Sequence, residues 1–255
     1  MKSPFLRYSL DYFERNRPLF KRDDFPTRPH LRKDKYPLRY LRYWQAHSAI
    51  VDYQKEVGRK IELVDLGCER GLLKIMAGDE IDANWIGLDW NLNRPSLQSA
   101  KYDKLIEADF DKPLDLPDNS ADVLVSLHVF EHLPRPEFTA AEIFRVLKPG
   151  GIFLIGTPVV PKIAAAAGEK KYQDEMAEGR RWAGKHINKF YPERMEKLLQ
   201  GAGFTIDWTS GSYFLRSSGY GLENFKPWIR LNHAWGSMFP SLGQELYVQA
   251  RKPSR

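Results

Sequence analysis

Residues Ile61 to Gly71 read IELVDLGCERG, an apolar run that ends in an acid and then turns through two glycines. The run predicts a buried strand and the turn a tight loop opening a helix, the arrangement in which an α/β sheet holds a nucleotide-like ligand. Glycine turns serve purely conformational needs in many proteins, so the segments around this one carry the argument. Leu72 to Ile81 has the length of one helix. Trp85 to Trp90, WIGLDW, predicts a second strand ending in Asp89, and Lys104 to Ala108 a third, followed by Asp109 and Phe110. Ala121 to Ser126, ADVLVS, predicts a fourth, followed by LHVFEHL, a helix over Glu137 to Leu147, a turn at Lys148 to Gly151 and a fifth strand, IFLIGTP. A helix over Pro192 to Gln200, a strand over Phe204 to Thr209 and a last strand over Glu245 to Ala250 complete the α/β pattern. An acid at the end of such a strand accepts hydrogen bonds from both hydroxyls of a ribose.

The order of these motifs resembles the S-adenosylmethionine-dependent methyltransferases with a Rossmann-like fold, in particular the branch that methylates small molecules, lipids and sugars. The segments that carry the resemblance are VDLGCERG, IGLDW, EADF, LPDNSADVLVSLHVFEHL, EIFRVLKPGGIFLIGTP and HINKFYPERMEKLLQGAGF, over roughly residues 60 to 210. The resemblance implies a seven-stranded, mostly parallel sheet with helices on both faces and an antiparallel last strand. It also implies a donor site. Asp65 would meet the donor's ammonium, and Gly67, Cys68 and Gly71 would form the loop, the glycines letting the backbone approach and the Cys68 thiol packing. Asp89 would bind the ribose and Trp90 lie against the adenine. Asp109 would accept from the adenine amino group, the Phe110 backbone would lie near a ring nitrogen, and Leu127 and His128 would border the carboxylate and sulfonium. Asp65 and Asp89 also suit plain helix caps. The family usually has glycine where this chain has Glu69, which brings a side chain and a negative charge to the turn.

Methyl transfer to a hydroxyl is helped by a general base, and histidine titrates near working pH. His128 is placed beside the expected methyl group, and His186 precedes the Pro192 helix in a segment expected to overhang the acceptor. Glu131 and His132 belong to FEHL, which is common in this branch and reads as loop-shaping. The fourth strand is followed by SLHV rather than the Asn/Asp-Pro-Pro-aromatic turn that holds exocyclic amines of bases. The sole cysteine, Cys68, lies in the donor loop and not at a nucleophile's position. These features favour O-methylation of a small molecule, a sugar or a lipid-linked precursor. The alternatives are an RNA methyltransferase and a noncatalytic binding subunit that keeps the fold.

Composition fits a decorated single domain: 255 residues, of which 42% are hydrophobic. One cysteine builds neither an internal disulfide nor a structural zinc site, so a reducing cytoplasm is expected and no metal is. No run reaches the roughly 18 apolar residues of a spanning helix, so neither export nor integral insertion is expected. Charge is unevenly placed. Residues 1 to 43 hold 12 Lys and Arg against 5 Asp and Glu, a balance of +7, while the rest carries −1. We therefore divide the chain into a basic aromatic arm, 1–43, and a methyltransferase domain, 44–255, with insertions at 159–189 and 211–243.

The arm interleaves its cations with Phe5, Tyr8, Tyr12, Phe13, Phe20, Phe25, Tyr36, Tyr40 and Tyr43, with Trp44 just beyond. It reads either as an anion-binding cover or as aromatics packed on the domain with their Lys and Arg in water. In the second insertion Phe225, Trp228, Leu231, Trp235 and Met238 form a helical apolar stripe, which suits internal packing first, then a lid or a helix at a membrane surface. The expected partners are the acceptor and, peripherally, the inner membrane face. Nucleic acid is the weaker reading, and no obligate protein partner is evident.

Overall fold

In the computed structural model, the described residues are 9–177, 185–213, 215 and 221–254. Phe5 and Tyr8 of the arm and parts of both insertions lie outside them. Seven strands form one sheet: β1 (Ile61–Leu66), β2 (Ala83–Asp89), β3 (Lys104–Glu107), β4 (Ala121–Leu127), β5 (Leu147–Pro158), β6 (Thr205–Ser212) and β7 (Glu245–Arg251). Their order is β3-β2-β1-β4-β5-β7-β6. β7 is antiparallel to β5 and β6, and the other pairings are parallel. This is the Rossmann-like sheet that the motif order predicts. The order in which successive strands are added reverses between the parallel neighbours β1 and β4, so the crevice at their carboxyl ends is the natural ligand position.

Eight helices surround the sheet among the described residues: α1 (Asp11–Lys21), α2 (Leu41–Val57), α3 (Leu72–Ala77), α4 (Pro95–Ser99), α5 (Pro136–Val146), α6 (Lys162–Ala177), α7 (Pro192–Gly201) and α8 (Lys226–Met238). The central strands are apolar on both faces, as parallel strands covered by helices must be. Val64, Leu66, Leu124, Phe153 and Ile155 pack with Ile143 of α5 and Met195 and Leu199 of α7. Alternate residues Leu63, Val123, Val125, Ile152 and Leu154 pack with Ala49, Ile50 and Tyr53 of α2 and Leu73 of α3.

Two boundaries differ from the sequence expectation. α3 stops at Ala77 rather than Ile81 because Gly78 takes φ +57, ψ −133, a conformation open to glycine. β5 begins at Leu147, the last residue of the expected helix, and runs through the expected turn, with a register shift against β4 between Ala121 and Val123.

The arm folds onto the domain. Tyr12, Phe13, Phe20, Phe25, Tyr36, Tyr40 and Trp44 are buried in one cluster with Leu72 and Met76 of α3, Tyr213, and Ile229 of α8. Asn16 donates to the Met76 carbonyl at 3.0 Å, and the Trp44 indole donates to the Ser9 carbonyl at 2.8 Å. The aromatics are therefore core, while several of the arm's cations stand over the crevice.

Helix α8 exists as its periodicity predicts, but three of the five residues of the apolar stripe face outward, while Trp228 and Trp235 are half-buried. Phe225, Leu231 and Met238 are 57%, 58% and 59% exposed, and the inner face is Ile229, Asn232, His233 and Gly236. A side chain at Gly236 would meet the Gly211 backbone at 2.5 Å, so the helix reaches β6 through glycine rather than through the stripe. Asn232 satisfies its inward amide by donating to the Trp228 carbonyl at 3.0 Å and accepting from the Leu215 N–H at 3.2 Å. Burial pushes His233 down to about 3, so its neutral ring accepts from the Gln45 amide at 3.1 Å. Internal packing of the stripe, the first expectation, is thus corrected at Phe225, Leu231 and Met238.

Candidate functional site

The β1 turn opens a cavity of about 180 Å³ lined by Asp65, Gly67, Cys68, Glu69, Asp89, Trp90, Arg94 and Leu127, with Arg39, Arg42, Tyr43, Leu73 and His128. Seven residues expected at the donor, Asp65, Gly67, Cys68, Asp89, Trp90, Leu127 and His128, converge here. Gly67 adopts φ +79, and a side chain on it would collide with Val129 Cγ2 at 2.3 Å, so both conformation and packing require glycine. Gly71 is also left-handed, at φ +69, but it faces Ala100, 2.4 Å from where a Cβ would stand, and does not line the cavity. Its role here is the packing of the turn against α4. Burial pushes the Cys68 thiol up, which keeps it in the neutral form of an inert packing group.

The two buried acids differ in their surroundings. Asp65 accepts from the Tyr102 hydroxyl at 2.6 Å, and burial, together with the nearby Asp89 charge, raises its carboxyl to about 7. Asp89 accepts from the Glu69 N–H at 2.8 Å on Oδ2, and from the Asn91 N–H at 3.0 Å and Arg94 at 2.9 Å on Oδ1. A carboxylate offers about four acceptor positions, so one on Oδ2 stays open toward the cavity. Arg94 also donates to the Glu69 carbonyl at 3.2 Å, tying the second strand end to the first turn.

Trp90 is 67% exposed, with Arg94 5.7 Å from its ring centre, and forms a wall between this cavity and an adjoining one of about 360 Å³. The second space is lined by Ala108 and Asp109. Asp109 is exposed, and the Asp111 N–H and Lys112 hold its carboxyl below the usual range. Phe110 is buried and lines neither space; its carbonyl accepts from the Thr139 hydroxyl at 2.9 Å.

On the other side lies a larger cavity of about 560 Å³, whose walls include Arg28, His30, Glu131, His132, His186 and Gln244. It shares Arg39, Arg42, Glu69 and His128 with the cavity at the β1 turn. His128, at the end of β4, sits at φ +59, a strained conformation for a residue with a side chain. Its N–H donates to the Gly156 carbonyl at 2.7 Å, which anchors the strain to β5. The imidazole lies 3.2 Å from Glu131 Oε1 through Nδ1 and 3.5 Å from Glu245 Oε1 through Nε2. Burial and Arg42 act to lower its pKa, yet the two carboxylates outweigh them and hold it above its ordinary value. Glu245 is in turn paired with Arg42 at 2.8 Å and accepts from the Tyr247 hydroxyl. His186 stands against His132, ring centres 4.8 Å apart, and burial lowers its pKa.

Sequence reasoning missed Arg39, Arg42, Arg94, Tyr102 and Glu245. The basic excess of residues 1 to 43 was the only signal for the first two. Tyr102 and Glu245 become site residues solely through sheet register and burial.

Residues 35–208 match the model of a methyltransferase-domain family. A protein of Mycolicibacterium smegmatis named a probable S-adenosylmethionine-dependent methyltransferase is 29% identical over 174 residues, covering 67% of this chain and 63% of that protein. A sterol 24-C-methyltransferase of Debaryomyces hansenii is 28% identical over 176 residues, covering 64% of this chain and 44% of its own length. The chain thus spans about half the length of the curated relatives it matches. A solved S-adenosylmethionine-dependent methyltransferase from Mesorhizobium loti superposes with a TM-score of 0.57 at 19% identity, over 82% of this chain and 97% of that one. With the family match spanning more than half of its residues, this chain belongs to the methyltransferase-domain family and carries the Rossmann-like fold of S-adenosylmethionine-dependent methyltransferases.

Proposed function

We propose that this chain is an S-adenosylmethionine-dependent methyltransferase that methylates a hydroxyl of a small molecule, a sugar or a lipid-linked precursor. The observation that carries this reading is His128, a strained, carboxylate-flanked imidazole in the shared wall of two cavities. The donor-side residues fit S-adenosylmethionine. Asp65 suits an ammonium, the open position on Asp89 a ribose hydroxyl, and Arg39 and Arg42 a carboxylate. Trp90 and Asp109 flank the adjoining space, which suits the adenine. When bound, the donor supplies a sulfonium methyl already activated for displacement.

The chain's own part is alignment and proton transfer. His128 takes the hydroxyl proton as the oxygen–methyl bond forms and the sulfur–methyl bond breaks, so positive charge passes from sulfur to imidazole. Glu131 and Glu245 stabilise that imidazolium. Arg42 pairs with the Glu245 carboxylate at 2.8 Å and balances its charge in its buried position.

A lipid-linked acceptor is favoured by one further observation. The outward face of α8 and the turn after it expose Phe225, Leu231, Met238, Phe239 and Leu242, with Lys226 exposed at the helix start. Such a face suits the headgroup region of an anionic bilayer. No helix among the described residues is long and apolar enough to cross a membrane, so the contact would be peripheral. The sterol methyltransferase relatives, whose name specifies carbon methylation, support a lipid-like acceptor and make carbon the second choice of acceptor atom.

The test is incubation of the protein with methyl-labelled donor and cell extract, followed by separation into lipids, polar small molecules, protein and RNA. Label in lipid or polar small molecules, released as an ether methyl, supports the reading. Label confined to RNA or protein, or no transfer, contradicts it.

A further inference from the structure

We infer that Glu131, His132 and His186 form a binding site for one divalent transition-series cation in the wall of the larger cavity. One ligand atom from each of the three lies within 4.8 Å of the other two. Three ligands at about 2.0–2.2 Å from one ion in a tetrahedral or trigonal arrangement are roughly 3.3–3.8 Å apart, so side-chain rotations that draw the three atoms in by about 1 Å close the set.

The second, independent observation is the state of Glu131. Its side chain is 2% exposed, and apart from the His128 Nδ1 contact at 3.2 Å neither carboxylate oxygen has a hydrogen-bond partner. A buried carboxylate in that condition is costly, and it faces only the imidazoles of His128 at 3.2 Å and His132 at 3.9 Å as ion-pair neighbours among the described residues. A cation held between the Glu131 carboxylate and the imidazoles of His132 and His186 removes the deficit.

The histidines are prepared for ligation. Nδ1 of His132 donates to the Lys185 carbonyl at 2.7 Å, which leaves the Nε2 lone pair directed away from that bond. Metal-bound histidines are oriented by this kind of contact. His186 is the next residue along, and Asn188 clamps its loop to the turn carrying Glu131 and His132. The Asn188 amide donates to the Phe130 carbonyl at 3.0 Å and the Leu133 carbonyl at 2.6 Å, and its N–H donates to the Glu131 carbonyl at 3.1 Å. Two segments distant in sequence are therefore held in one register, which is why adjacent Glu131 and His132 read only as loop-shaping from the sequence.

Two imidazoles and one carboxylate suit manganese, iron, cobalt or zinc better than the all-oxygen preferences of magnesium or calcium. Three protein ligands leave positions open to the cavity. A bound cation would acidify the hydroxyl of an oxygen-bearing acceptor coordinated there beside His128. That last role rests on the function proposed above; cation binding does not.

The experiment is titration of the full chain, stripped with chelator and without methyl donor, with Co²⁺ alone, followed by the visible ligand-field absorption. Saturable binding of one equivalent is expected, weakened at least about tenfold in Glu131→Gln and in His186→Ala. His30→Ala, in the same cavity but outside the triad, is expected to keep the wild-type affinity. Thermal melting of each stripped variant checks folding, and His186→Ala, on a loop, keeps the test valid if Glu131→Gln does not fold. No saturable binding, or equal affinity in wild type and His186→Ala, overturns the site. Titration with S-adenosylmethionine in chelator separately tests the donor reading, so either can fail alone.

Discussion

The backbone N–H of Glu69 donates a 2.8 Å hydrogen bond to Oδ2 of Asp89, so the acid proposed to hold a ribose also fixes the turn that departs from the family pattern. Glu69 pays for that contact with a φ of +46, in the left-handed region where a side chain is disfavoured. Its carboxylate is half-exposed, with Arg70 3.3 Å away.

Glu69→Gly is therefore expected to raise stability by about 0.5–1 kcal/mol, as relief of left-handed strain outweighs the entropy of a new glycine. Urea unfolding of the two proteins measures this. Removing a negative charge from the wall shared by both cavities is also expected to leave affinity for S-adenosylmethionine unchanged or tighter. A drop in stability would show that the side chain, and not the backbone, holds the turn.

The carboxyl of Asp65, raised to about 7 by burial and by Asp89, gives donor binding a pH dependence. Below that value the folded protein holds Asp65 neutral, and an ammonium must expel the proton to gain its ion pair. Affinity is thus expected to rise between pH 5.5 and 7.5. Free Asp titrates near 3.9, so for stability the sign is opposite: the cost of the buried charge is full above pH 7 and is relieved as pH falls from 7 toward 4. Calorimetric titration across that range checks the first effect. Asp65→Asn is expected to bind more weakly at pH 7.5 and to lose the slope.

His128→Ala is expected to lower turnover of a true acceptor by roughly 10²-fold, the usual contribution of a positioned general base. Donor affinity is expected to stay within a few-fold of wild type. Measuring both separates proton transfer from a collapse of the shared wall. Unchanged turnover would make His128 a positioning residue only.

The outward stripe of α8 predicts flotation with anionic vesicles. Leu231→Asp, at a position 58% exposed, is expected to abolish flotation without lowering the melting temperature. Neutral vesicles are expected to bind less, because Lys226 and the arm's cations no longer contribute. Equal flotation of wild type and variant would remove the membrane contact.

The parts of this protein legible in its sequence are those governed by local chemistry. Apolar runs ending in Asp65 and Asp89 located two strands and the crevice at their ends, because a buried parallel strand and its turn leave a compositional trace. The stripe of α8 was legible as a helix but not in its orientation. That was decided by Gly236 against Gly211 and by the internal hydrogen bonds of Asn232 and His233, which make polar residues the inner face. Glu245 joined the site for a similar reason. It is the first residue of an antiparallel strand paired at Pro158 and Ser212, and only that register brings it to His128 and Arg42. The arm's charge was visible, whereas the choice of Arg39 and Arg42 as cavity walls follows from how its aromatics pack.

The central claim is that the crevice at the ends of β1 and β2 holds S-adenosylmethionine through Asp89. The most direct measurement is calorimetric titration of the donor into wild type and Asp89→Ala, with unfolding curves as the control for folding. The account predicts saturable one-to-one binding by the wild type and a loss of at least about tenfold in the folded variant, the effect of removing a charged hydrogen-bond partner. Absence of binding by the wild type, or equal affinity in the folded variant, would contradict it.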